Sequence, residues 1–139
     1  MRFLLFTAAV TATVVLGQEH TSQAWSVLEQ GVRSTSVDTK VKAVRSLGLI
    51  SKNARAQQLG EWALTDANEN VRAAAAEALG NMGAKSSAPK LVEAVKTKDT
   101  SVVFAAASAL YALGDPRAYE VYYAVLLGER KSGDSLMES

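Results

Sequence analysis

The chain has 139 residues, 48% hydrophobic and 6% aromatic, so its core has to be assembled from many small side chains. It contains no cysteine and a single histidine, His20, which excludes disulfides, thiolate metal sites, cysteine nucleophiles and any site needing two histidines. A formal net charge of +1 gives no electrostatic reason to expect nucleic acid or an anionic membrane as a partner.

Met1-Arg2 carries a positive charge, and Phe3 to Leu16 is uncharged and mostly apolar, with Thr7, Thr11 and Thr13 scattered through it. Val15-Leu16-Gly17 ends on a small residue, and Gln18-Glu19-His20 turns abruptly polar. That order is the pattern of a secretory signal peptide over residues 1–17, cut near Gly17. A retained anchor is the rival reading. A stretch this short, at about 1.5 Å of rise per residue, does not span a hydrocarbon core of ~30 Å. No cysteine follows the cut, so a lipoprotein anchor is excluded. The expected location is secreted or periplasmic, with no integral membrane segment after cleavage. Removing Arg2 with the signal leaves basic and acidic residues in equal number.

Residues 18–35 read as a short tail and a first helix. Thr21 or Ser22 is its expected cap, and Trp25, Leu28 and Val32 recur at helical spacing. The serine- and threonine-rich segment from Gly31 to Ser36 ends it. Ser36 or Asp38 then opens a second helix that runs towards Ile50.

The clearest stretch is Val71 to Met82. Val71, Ala74, Ala75, Ala78, Leu79 and Met82 share one helical face, while Arg72, Glu77 and Asn81 fall away from it. A face made mostly of methyl groups lets a neighbouring helix approach near the short end of the usual ~8–10 Å range. Two further copies flank it. In the earlier one Lys40 matches Arg72, Ala43 matches Ala75, and Leu47-Gly48 matches Leu79-Gly80. In the later one Val102, Ala105, Ala106, Ala109, Leu110 and Leu113 repeat the face, with Leu110 in the place of Leu79. The step from Leu79 to Leu110 is one position shorter than the step from Leu47 to Leu79. Partner helices are predicted at Ala54 to Leu64, Ala88 to Val95 and Ala118 to Leu127. Polar turns at Asp66 to Asn70 and Thr97 to Ser101, and the prolines Pro89 and Pro116, separate the pieces. Self-similarity at this period signals an all-α solenoid of helical hairpins.

Asn70-Val71-Arg72-Ala73-Ala74-Ala75 with Ala78-Leu79-Gly80 resembles a HEAT repeat, as does Ala109-Leu110 followed by Leu113-Gly114-Asp115-Pro116-Arg117-Ala118. The likeness is to the short type of phycobilisome lyase-like proteins and bacterial scaffolds. It implies a right-handed α-solenoid of about three hairpins, placed here over residues 36–131, with a polar tail at 132–139. The later copy departs from the pattern at Val103 and Phe104, and the earlier one at Lys42, in place of Ala74.

The resemblance also implies that the second helix of each hairpin lines the inner, concave face. Carried over, a candidate partner surface would comprise Gln58, Glu61, Lys90, Glu93, Val121 and Ala124, running from polar to apolar. Ordinary packing of the apolar end is the competing reading. The last helix is apolar nearly all round, which points to a cover over Tyr119, Tyr122, Tyr123 and Leu126: self-association, a membrane surface or further chain. Phe104 is expected to point outward.

Asp66, Asn68, Asn70 and Glu77 echo a calcium loop, but Val71 stands where its turn needs glycine. His20 beside Glu19 lies in a tail with nothing to orient it. Arg72 and Glu77 read as a solvated face, with Arg72 able to bond to the preceding turn. No catalytic residue, cofactor or metal ligand is therefore assigned. The expected function is an extracytoplasmic, non-catalytic scaffold for an unspecified protein partner. The alternative, permitted by the resemblance, is an accessory module of a larger enzyme, including a bilin lyase-like subunit.

Overall fold

The computed structural model describes residues 21–127. The expected signal peptide, His20 and the polar tail at 132–139 lie outside the described residues. Within them every regular element is helical: α1 (21–32), α2 (Val37–Leu47), α3 (Ala54–Ala63), α4 (Glu69–Asn81), α5 (Ala88–Ala94), α6 (Thr100–Ala112) and α7 (Arg117–Leu126), with a 3-10 turn, Lys85–Ser87, before α5. Thr21 and Ser22, expected as a cap, are already helical.

Local chemistry sets the ends. Ser36, Asn53 and Asn68 sit extended at the starts of α2, α3 and α4, and their side chains accept from the backbone N–H groups of Thr39, Ala56 and Asn70. The closings of α4 and α6 are copies of one device. Gly83 and Gly114 adopt φ of +71° and +75°, and the N–H groups of Ala84 and Asp115 donate back to the carbonyls of Leu79 and Leu110. Positive φ is inexpensive for glycine, so these residues stop each helix with its last carbonyls bonded.

The helices form two layers. In the first, α4 lies between α2 and α6, and among the helices α2 to α7 its contact with α6 is the most extensive. In the second, α3 rests on α2 and α4, α5 rests chiefly on α6, and α7 rests on α6. The all-α, solenoid-like stack read from the repeat is therefore present. Val71, Ala74, Ala75, Ala78, Leu79 and Met82 are all buried, as are Val102, Ala105, Ala106, Ala109, Leu110 and Leu113. Ala76 and Ala107 are fully buried as well, although a one-faced helix would leave them out. The first-layer helices have neighbours on more than one side, so the apolar arc is wider than a single stripe.

Two glycines fix the spacing of the first layer. A methyl placed on Gly80 would lie 2.8 Å from the Cα of Ala109 in α6, and one on Gly48 would lie 3.1 Å from the Cα of Ala78 in α4. These are the equivalent positions of successive repeats, so each glycine marks where one first-layer helix crosses the next. The third copy has Tyr111 there, 58% exposed.

At the other end α1 closes the stack. Val32 is fully buried, with Trp25 and Leu28 packed partly against the core. Across to α3, the Arg55 guanidinium lies 4.9 Å from the Trp25 ring centre and that of Arg33 lies 5.9 Å from Trp62. Arg55 also donates to Glu29 at 2.7 Å. These cation–π and ionic contacts join the helix to the second layer.

Candidate functional site

The expected surface on the second helices divides on inspection. Gln58, Lys90 and Glu93 are exposed and Glu61 is half-buried, but Val121 and Ala124 are buried, at 1% and 3% exposure. The assignment of those two to an exposed stripe is corrected: they belong to the face of α7 that packs into the core. The cause is a change of period. Ala88 and Leu91 of α5 are buried, and Ala118 and Val121 of α7 are their buried counterparts. The step from Ala88 to Ala118 is one position shorter than the step from Leu79 to Leu110 in the first layer. Carrying the first-layer step over to the second layer slips the alignment by one position, which is about 100° around a helix. With the burial pattern as guide, Lys90 corresponds to Glu120 and Glu93 to Tyr123, and both counterparts are exposed. The outer row of the second layer is thus Gln58, Lys90 and Glu120, flanked by Glu61, Glu93 and Tyr123.

Glu61 anchors a network between α3 and α5. Ser87, fully buried, donates its hydroxyl to Glu61 Oε1 at 2.6 Å, Gln57 donates to the same oxygen at 3.0 Å, and Lys90 donates to Oε2 at 2.6 Å. Burial alone would push the Glu61 carboxyl up, but the hydrogen bonds from Gln57, Lys90 and Ser87 outweigh it and hold the group at about 2. A carboxyl lowered on folding stabilises the native state above its unfolded pKa, and that contribution fades as pH falls towards the folded value. Stability is therefore expected to fall between about pH 4.5 and pH 2, with a share of roughly 2 kcal/mol from Glu61. Chemical denaturation across that range checks it: Glu61→Gln should flatten the slope, and a slope unchanged in that variant would remove Glu61 from the account.

A second set of contacts joins residues far apart in the chain. Lys40 reaches Asp66 at 2.6 Å, and Arg72, its counterpart one repeat later, reaches Asp99. Each basic residue stands near the start of a first-layer helix and holds the loop that precedes the next one. Arg72 also donates to the carbonyls of Asp66 and Ala67, at 2.6 and 2.9 Å. The expected bond to the preceding turn is present, but Arg72 is no freely solvated residue, because its side chain is only 20% exposed. Asp99 occupies the N-cap position of α6, yet its carboxylate accepts from Thr97 and Arg72 rather than from the helix. Those bonds, Thr97 first, hold Asp99 below the usual carboxylate range. Three bonds lost from a half-buried guanidinium make Arg72→Ala cost about 1–3 kcal/mol. A urea midpoint for Arg72→Ala within error of the wild type would show the clasp to be idle. In the third repeat Val103, 1% exposed, takes the place of the basic residue and the series stops.

The residues of the calcium-loop pattern are dispersed among other partners. Asp66 holds Lys40 and the N–H of Asn68, Asn68 caps α4, and Glu77 receives Arg45 at 3.1 Å. Val71 is fully buried. Among the described residues, no three acidic or histidine side chains are grouped to hold a metal ion.

A comparison with known families gives the same repeat. Residues 56–131, more than half of the chain, match the family described as HEAT repeats. The chain belongs to the HEAT-repeat family. Against curated proteins no match is found. Members of this family commonly mediate protein–protein interaction and are typically non-enzymatic scaffolds, so a protein partner is the class of ligand that the membership supports. No helix among the described residues is long and apolar enough to cross a membrane.

Proposed function

We propose that this HEAT-repeat chain is an exported, non-catalytic scaffold that binds another protein along the outer row of its second helices, Gln58, Lys90, Glu93 and Glu120. The observation that carries the reading is how the polar groups are shared out. The carboxylates of Glu61, Asp66 and Asp99, each held below its ordinary range, are each closed on a neighbour in the array, where they join one repeat to the next. The row is exposed across α3, α5 and α7, with Lys90 keeping its exposure while it donates to Glu61. A stacked array of this kind offers an extended, evenly spaced surface, which suits recognition of a polypeptide.

A photo-activated cross-linker placed at Gln58 or Glu120 in the living source cell tests the binding surface. One discrete adduct of the same mass from both positions, and none from Asn81 on α4, is the expected result. Adducts of equal yield from all three positions, or from none, would overturn the surface. Export is tested apart from binding, by the mass of the protein recovered outside the cytoplasm. The expected chain begins at Gln18, and a cytoplasmic chain retaining residues 1–17 would refute export.

A further inference from the structure

The C-terminal end of the stack carries an aromatic band. On α6, Phe104 and Tyr111 stand two helical turns apart with exposed Ser108 between them, so all three share one stripe. Tyr111 meets Tyr119 of α7 edge to face, with ring centres 5.9 Å apart. Tyr123 and Leu127 continue the band, each one helical turn further on. Their exposures are 43% for Phe104, 58% for Tyr111, 57% for Tyr119, 67% for Tyr123 and 62% for Leu127.

We infer that this band is a two-fold interface on which a second copy of the chain docks, face to face. Three observations favour a second copy. The first is size. Aromatic side chains offer ~150–250 Å² each, so the band exposes roughly 500 Å² of apolar surface. That is near the upper end of what monomers leave bare, and it would form the apolar centre of an interface burying ~800 Å² per partner. The second is charge. Thr100–Ala112 contains no charged residue, although the equivalent helices α2 and α4 carry several. Between α6 and α7, Asp115 and Arg117 are bonded to each other, and Glu120 beside Tyr119 is the one exposed charge on α7 next to a ring of the band. A band without a net sign asks for no oppositely charged partner and can face its own copy without repulsion. The third is shape. Tyr111 occupies the position where Gly48 and Gly80 admit the next first-layer helix, and Val103 ends the series of clasps. A Tyr111 ring stands where a glycine admits the close approach used inside the array, so a cover that pairs with the rings fits this face better than the same close approach. An isologous pair meets that need, since each copy brings the same rings and hydroxyls.

Sedimentation velocity on the full chain over a wide concentration range tests the interface. The expected species is a dimer, and Phe104→Glu with Tyr111→Glu should weaken it at least tenfold while leaving helical circular dichroism unchanged. The chain has no cysteine, which allows a direct geometric test. Ser108→Cys should give a disulfide-linked dimer under mild oxidation, and Gln58→Cys should not. A monomer at every concentration, self-association that survives both charge substitutions, or equal cross-linking at the two positions would each overturn the proposal. A monomer that binds a different protein through these rings would do so too. The Gln58 row is read separately, by cross-linking at Gln58 on α3, away from the residues substituted here.

Discussion

Ala75→Glu is expected to destabilise the protein by more than ~4 kcal/mol. Ala75 is fully buried on the central helix α4, which has α2 on one side and α6 on the other. A carboxylate placed there loses its water and finds no basic partner within the methyl-lined seam. It also needs volume where the helices are at their closest. Burial raises the folded-state pKa of the new carboxyl, so protonation shrinks the penalty as pH falls towards about 4.5, and below that only the steric and polar share remains. Two positions along, Glu77 is exposed, and its pair with Arg45 has both side chains well into solvent. Glu77→Ala is accordingly expected within about 0.5 kcal/mol of the wild type. Urea unfolding followed by circular dichroism separates the two. Similar midpoints for both variants would mean that the faces of α4 are misassigned.

The contrast shows what is legible in a sequence. A seam of alanines can be read there because a small-residue face that recurs at Leu47, Leu79 and Leu110 has no use except close stacking of helices. The closing turns at Gly83 and Gly114 are marked by residues whose backbone preferences are strong. Features that depend on neighbours are harder to read. Ala76 and Ala107 are buried because first-layer helices are enclosed on several sides, and a helical wheel shows only one preferred side. Lys42 replaces a core alanine and remains 75% exposed, paired with Asp38, since among the described residues no first-layer helix precedes α2. Val121 and Ala124 fall on the wrong face of a sequence alignment because the spacing shortens by one position between α5 and α7. A single position turns a helix by more than a quarter of a circle. The anchoring of Arg72 is hidden because its partner Asp99 is 27 residues away, which no local pattern reveals.

Gly80→Val should be the other severe change, above ~3 kcal/mol, and the reason is the backbone rather than any side chain. Removing glycine from a helix interior ordinarily helps by up to ~1 kcal/mol, through the entropy of the unfolded chain and better helix propensity. At Gly80 that gain meets an obstacle, because the first added carbon would stand 2.8 Å from Ala109 Cα and 2.9 Å from its Cβ. Neither atom can rotate away, so α4 and α6 would have to separate along the seam that carries most of the core. Gly60 provides the control. The closest atoms its added carbon would meet belong to the Leu79 side chain, at 3.1 Å, and a leucine can shift. Gly48 is intermediate, 3.1 Å from the Ala78 Cα. The expected order of loss for alanine substitutions is therefore Gly80 first, Gly48 next and Gly60 least, with valine at Gly80 beyond all three. Thermal and urea unfolding of the four variants read that order directly. Should Gly80→Ala prove as stable as Gly60→Ala, helix approach would not be what the glycine is for. The same position bears on Tyr111: where α2 and α4 have the glycine that admits the next helix, α6 carries an exposed ring, and the aromatic band runs from there.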